Sequence, residues 1–126
     1  MKPARDLVLT DSARRLLHED AAREYPQEAC GALLGSADRV VEVHPLPNRA
    51  PHPRVSFAIE PCDLEPLLTA EAGGGLAVIG FYHSHPDSEP RPSKRDLAAA
   101  LPGYWYLVVG VDRGVSGRFH AWRMRG

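Results

Sequence analysis

The chain has 126 residues, a formal net charge of −1 and 44% hydrophobic residues. That length suits one domain, 1–126, with a core of its own, and the near-neutral balance gives no electrostatic footing for nucleic acid or an anionic membrane. No apolar run approaches the ~20 residues of a membrane span, Met1–Asp6 lacks the apolar centre of a secretory signal, and Cys30 and Cys62 make no disulfide framework, so a reduced, cytoplasmic protein is expected.

From the N-terminus, Leu7–Thr10 is a short strand candidate. Thr10 or Asp11 then caps a helix to about Glu24, with Ala13, Leu16, Leu17 and Ala21 as its apolar stripe. Tyr25-Pro26 ends it, because the residue before proline avoids the helical region. Glu28–Gly35 is apolar and glycine-punctuated and reads as a strand, pairing as a hairpin with Arg39–Leu46. Prolines at 45, 47, 51 and 53 stiffen the loop that follows. Val55–Ile59 alternates as a strand does. Pro61 opens a helix to about Ala72 with Leu64, Leu67 and Leu68 as its apolar face, and Gly73-Gly74-Gly75 stops it.

Leu76–His83 is a near-continuous apolar run, the pattern of a central strand buried on both faces. A polar, proline-rich loop spans Pro86–Pro92, and Ser93 starts a helix through Leu101. Tyr104–Val111 and Gly117–Met124 are the last strands, joined by a turn at Asp112-Arg113-Gly114. The expected fold is α/β of the mixed kind: a central mixed sheet flanked by about three helices. Lys2 and Lys94 are the only lysines, Asn48 the only Asn and Gln27 the only Gln, among 12 prolines. This bias fits a heat-adapted protein and, equally, a GC-rich genome.

The chemistry gathers in His83-Ser84-His85-Pro86 and, after a seven-residue gap from His85, Ser93-x-x-Asp96. Residues two apart on a strand share a face, so both imidazoles can converge on one metal. Taken alone, His-x-His reads equally as two satisfied histidines. Ser93-x-x-Asp96 is also a helix capping signature, and a side chain bent back to the cap competes with one aimed at a metal. Position favours the metal: a helix starting just past a short stiff loop can swing back over the strand end. Two His and one Asp are three ligands, which leaves the fourth tetrahedral position of zinc open to water, while iron, cobalt and manganese also accept such a set. Such a water needs a base. Glu28, Glu60, Asp87 and Glu89 are candidates that spacing does not separate, although a charge at the mouth of an apolar strand marks Glu28.

Together, Glu28 in Glu28-Ala29-Cys30-Gly31-Ala32-Leu33, His83-Ser84-His85-Pro86 and Ser93-x-x-Asp96 resemble the JAMM (MPN+) metalloproteases, most closely the small stand-alone prokaryotic members. Asn48 and Phe57-Ala58-Ile59-Glu60-Pro61 are similar to the family's middle region, and the resemblance spans roughly residues 5–112. It implies a cytidine-deaminase-like sandwich. It implies that His83, His85 and Asp96 bind one catalytic zinc, that Glu28 is the general base and that Ser93 donates to the oxyanion. It implies a peptidase or isopeptidase cutting after the C-terminal Gly-Gly tail of a ubiquitin-like protein. No insertion of the kind used to grip ubiquitin is evident, which favours a small sulfur-carrier-type partner. A deubiquitinase-type isopeptidase and a non-catalytic MPN scaffold are the alternatives, and a homodimer is compatible with the sequence. A nucleoside deaminase is disfavoured, because its His-x-Glu and Pro-Cys-x-x-Cys are missing.

The remaining polar and aromatic residues read as structural. His18, His44, His52 and His120 are surface or packing residues, and Cys30 is a packing thiol on the face of Glu28. Trp105, Tyr106 and Trp122 belong to the core. Ser84 faces away from the histidines toward backbone groups. Asn48 reads equally as an Asx-turn and as a contact for a bound tail.

Overall fold

The computed structural model describes residues 7–123, so Met124 of the expected last strand lies outside the described residues. Six strands form one sheet: β1 (Val8–Leu9), β2 (Cys30–Ser36), β3 (Arg39–Leu46), β4 (Ala77–Pro86), β5 (Trp105–Asp112) and β6 (Val115–Arg123). Three helices accompany them: α1 (Asp11–Glu24), α2 (Pro61–Ala72) and α3 (Lys94–Ala99). The strand order is β1-β3-β2-β4-β5-β6. β2 pairs antiparallel with β3 and β4, β4 and β5 run parallel, and β6 returns antiparallel. The expected mixed sheet flanked by helices is what forms.

The local causes follow from the residues. Thr10 caps α1, its side chain accepting from the Ala13 N–H. Ala13, Leu17 and Ala21 of α1 are fully buried against Leu33, Val40, Leu107, Val109 and Ala121 of the sheet. Burying a leucine this completely contributes about 2 kcal/mol. Asp20 is buried with them. Its carboxylate accepts from the Tyr82 hydroxyl at 2.7 Å and from Arg23 at 2.6 Å, so no buried charge is left bare. This contact ties α1 to the central strand beside His83.

The opposite face of the sheet is covered incompletely. α2 packs on β4 through Leu67, yet none of its residues is buried, and the same holds for α3. The face so left open, between these two helices, carries the cleft.

Four expectations need correction. Val55–Ile59 is not a strand, because no neighbouring strand supplies a ladder; side chain and loop groups hold it instead. α3 ends at Ala99 rather than Leu101, since Leu101 precedes Pro102 and Ala100 has already turned extended. The expected run Leu76–His83 becomes Ala77–Pro86, so β4 carries through both histidines. β2 begins at Cys30, which leaves Glu28 just ahead of it.

Candidate metal centre

His83 and His85 lie on one face of β4, while Ser84 between them turns to the other. Ser84 is fully buried, and its hydroxyl accepts from the Ala29 N–H at 2.7 Å. The Ser84 N–H donates to the Ala29 carbonyl at 2.9 Å. Thus the residue beside Glu28 is bonded on both sides to the residue between the histidines.

The His83 and His85 Nε2 atoms are 3.2 Å apart. The Asp96 Oδ2 atom lies 3.2 Å from the first and 3.4 Å from the second. Ligands bonded at about 2.0–2.1 Å to a tetrahedral zinc are separated by about 3.3–3.4 Å, so this triangle has the size of one face of such a polyhedron. Among the described residues these three form the one group of His, Cys, Asp or Glu side chains placed to hold a metal ion. The donor chemistry fits as well. His85 Nδ1 meets the Glu89 carbonyl at 2.9 Å and must donate to it, which leaves Nε2 as a bare lone pair facing the triangle. The His83 ring stacks on Phe57, with centroids 4.3 Å apart and planes 19° apart.

Asp96 resolves a competition that the sequence poses. Its Oδ2 accepts from the Ser93 N–H at 2.8 Å, and the Asp96 N–H donates to Ser93 Oγ at 3.0 Å, a complete capping box. The same Oδ2 faces both imidazoles. Capping and an approach to both imidazoles are therefore not alternatives, because the cap is what aims the carboxylate. Ser93 Oγ accepts in this box, and its own proton has no acceptor among the described residues.

Burial and neighbouring charge shift the titration of these side chains. Desolvation pushes the His83 imidazole down, only partly offset by Asp96, so it is poised as a neutral ligand. Burial opposes charge on His85 too, but Asp96, the Glu89 carbonyl and Glu28 outweigh it and raise its pKa. Burial also opposes ionisation of Asp96, yet the two imidazoles hold its carboxyl well below the usual carboxylate range. Glu28 shows the reverse balance. Burial raises it to about 7, against the pull of His85 and Arg95.

Of the four candidate bases, Glu28 alone lines the cleft with the triangle. Asp87 is engaged elsewhere, accepting from the Tyr25 hydroxyl and the Arg113 N–H. Glu89 offers its backbone carbonyl to His85, and Glu60 is the exposed N-cap of α2. The cleft measures about 810 Å³ and extends from the triangle along Phe57, Ile59, Leu64 and Phe81 toward Leu101 and Tyr106. Trp105 and Trp122 are buried core residues, as expected, and Trp122 also backs the cleft, whereas Tyr106 is half-buried in its wall, which corrects its reading as core. Strand alternation puts Tyr106 and Trp122 on the face of Phe81, and that was the signal available in the sequence. Cys30 is buried, donates to the Leu46 and Pro47 carbonyls, and has its thiol pushed up to about 12 chiefly by burial, as suits a packing residue.

A family model described as prokaryotic homologs of the JAB domain matches residues 10–125. The chain belongs to the prokaryotic JAB-domain family. This JAB domain is 38% identical over 122 residues to a desampylase of Haloferax volcanii, covering 94% of the chain and 83% of that protein. It is 37% identical over 102 residues to a probable TtuB-protein conjugate cleaving protease of Thermus thermophilus, covering 79% and 68%. A solved structure titled as JAMM, a metalloprotease-like zinc site in the proteasome and signalosome, superimposes with a TM-score of 0.57 at 21% identity, covering 95% and 88%, and shares the JAB domain's fold. Among the described residues no helix is long and apolar enough to cross a membrane.

Proposed function

We propose that residues 1–126 form one metalloprotease domain that hydrolyses the peptide or isopeptide bond after the C-terminal Gly-Gly tail of a small ubiquitin-like protein of the sulfur-carrier type, in the cytoplasm. One observation carries the reading: a metal-sized triangle of His83, His85 and Asp96 opens into the same cleft as the buried carboxylate of Glu28. The names of the two relatives, a desampylase and a conjugate-cleaving protease, support a modified small protein as substrate.

His83, His85 and Asp96 hold the ion, for which zinc suits a two-nitrogen, one-oxygen set. Bound there, zinc supplies Lewis acidity to the scissile carbonyl and acidifies the attacking water. Glu28 orients that water, takes its proton and returns it to the leaving amine. Burial makes Glu28 a stronger base than an ordinary carboxylate, and the ion's charge opposes that rise, so the group can both take and return a proton. Ser93 donates its uncommitted hydroxyl proton to the oxyanion.

The extended tail has a place to lie. The Ser56 carbonyl and both backbone groups of Ala58 bond to Asn48 and Arg49, and the Ser56 N–H donates to the His52 carbonyl. The N–H and C=O of Phe57 between them have no partner among the described residues. A glycine tail pairing there as an added strand passes His83, on which Phe57 stacks. Incubation with a ubiquitin-like protein carrying an amino acid or a lysine-linked peptide after Gly-Gly, with and without chelator, tests the proposal. Metal-dependent release is expected. A zinc-loaded protein that trims neither adduct is a non-catalytic scaffold, and the proposal is then wrong.

A further inference from the structure

The half-buried amide of Asn48 makes four hydrogen bonds. Its Nδ2 donates to the carbonyls of Glu28 and Ser56, both at 3.0 Å. Its Oδ1 accepts from the N–H groups of Ala50 at 3.0 Å and Ala58 at 3.1 Å. A primary amide has two donor hydrogens and two acceptor lone pairs, so its capacity is used in full. The network also dictates the orientation, since a flipped amide would face two carbonyls with its oxygen and two N–H groups with its nitrogen. The Ala50 contact closes an Asx-turn, which is half of what the sequence suggests for Asn48.

The other three contacts reach the site. They bind the 55–59 segment, which has no strand partner, to the backbone of Glu28. A second bond reinforces this, because the Glu28 N–H donates to the Pro53 carbonyl at 2.7 Å. Glu28 is thus held at both its N–H and its C=O by the proline-stiffened loop rather than by the sheet, since β2 begins only at Cys30.

We propose that Asn48 is a positioning residue that couples the cleft wall at Phe57 to Glu28, so that tail binding and proton transfer depend on one amide. The inference rests on the function proposed above. Asn48 touches neither the metal triangle nor the reacting atoms. It sets the wall on which an extended chain lies and the backbone from which the carboxylate projects.

A ubiquitin-like protein with a fluorogenic amide after its Gly-Gly tail is the probe. With zinc-loaded protein, Asn48→Ala is expected to lower kcat about 10- to 100-fold, the cost of a misplaced catalytic group, and to raise KM several-fold as well. Asn48→Asp keeps the size but sets an oxygen against the Glu28 and Ser56 carbonyls, so it is expected to be at least as damaging. A purely space-filling Asn48 predicts near-normal Asn48→Asp. In a Glu28→Gln background, Asn48→Ala should still weaken binding of the intact probe, because the wall is disturbed independently of the base. Loss of kcat alone, in proportion to the folded fraction and with KM unchanged, overturns the proposal. If the variants do not fold, hydrogen exchange of the unaltered protein decides. The Ala50 and Ala58 amides should be protected like those of β2, and rapid exchange at Ala58 overturns the coupling. A wild-type protein that does not turn over the probe defeats the functional reading instead, and the exchange result still judges the coupling.

Discussion

Glu28 is the residue on which acid–base chemistry and stability meet. Burial raises its carboxyl to about 7. As a base it must be ionised, so kcat/KM, measured with zinc held saturating, is expected to fall on the acid side, and because the ion's charge draws the carboxyl down the fall should set in below pH 7. Glu28→Gln keeps the cleft's shape and the three ligands. It should retain stoichiometric zinc and lose about 100-fold or more of turnover, the usual contribution of a positioned base. Linkage gives a second, opposite signature. Because the folded-state pKa lies above the unfolded value, the folded chain binds more protons between about 4.5 and 7. Glu28's contribution to the stability of the metal-free protein therefore falls as pH rises across that window. Glu28→Gln should abolish that fall and melt higher than wild type above pH 7. A melting profile that is the same for both proteins would show that Glu28 is not desolvated.

The elements show what the sequence can and cannot disclose. α1, α2, β3 and β5 follow from caps, prolines and apolar periodicity, signals that are local. Val55–Ile59 carries the same alternation as a strand but lacks a partner, and partnership is a tertiary property that no window of residues encodes. The triangle of His83, His85 and Asp96 was legible because its members come from one short stretch, His83–Asp96. The double duty of Asp96 was not, since spacing does not say that one oxygen can face a cap and two imidazoles together. Nor does spacing bring Glu28 alongside; the β2–β4 register does, pairing Cys30 with His83. Ser84 extends that register by one residue through the Ala29 N–H. Ser84→Ala leaves this buried donor unpaired, and chemical denaturation should show a loss of about 1–3 kcal/mol. Because Ala29 adjoins Glu28, turnover of the folded variant should fall as well; a stable, fully active variant would remove Ser84 from the account.

At the scale of the molecule, the site is a convergence of distant segments: Glu28 ahead of β2, the imidazoles on β4, Ser93 and Asp96 at the start of α3, and the 48–59 loop. Asp96 meets the imidazoles only where the start of α3 turns back over the end of β4, so the triangle exists only in the folded chain. An ion bound to the folded state alone must therefore stabilise the whole, by about 2.7 kcal/mol when free ion is a hundredfold above its Kd. Zinc should raise the melting temperature and a chelator should lower it. His83→Ala should abolish both responses, whereas an unchanged zinc response would contradict the ligand assignment. The central claim concerns chemistry, and one comparison tests it most directly. Wild type and Glu28→Gln, each verified as holding one zinc, are incubated with a ubiquitin-like protein extended beyond Gly-Gly, and the products are weighed by mass spectrometry. Cleavage directly after the second glycine by wild type, with Glu28→Gln slowed about 100-fold or more, is the predicted result. Equal cleavage by both proteins, or no cleavage by either, would contradict it.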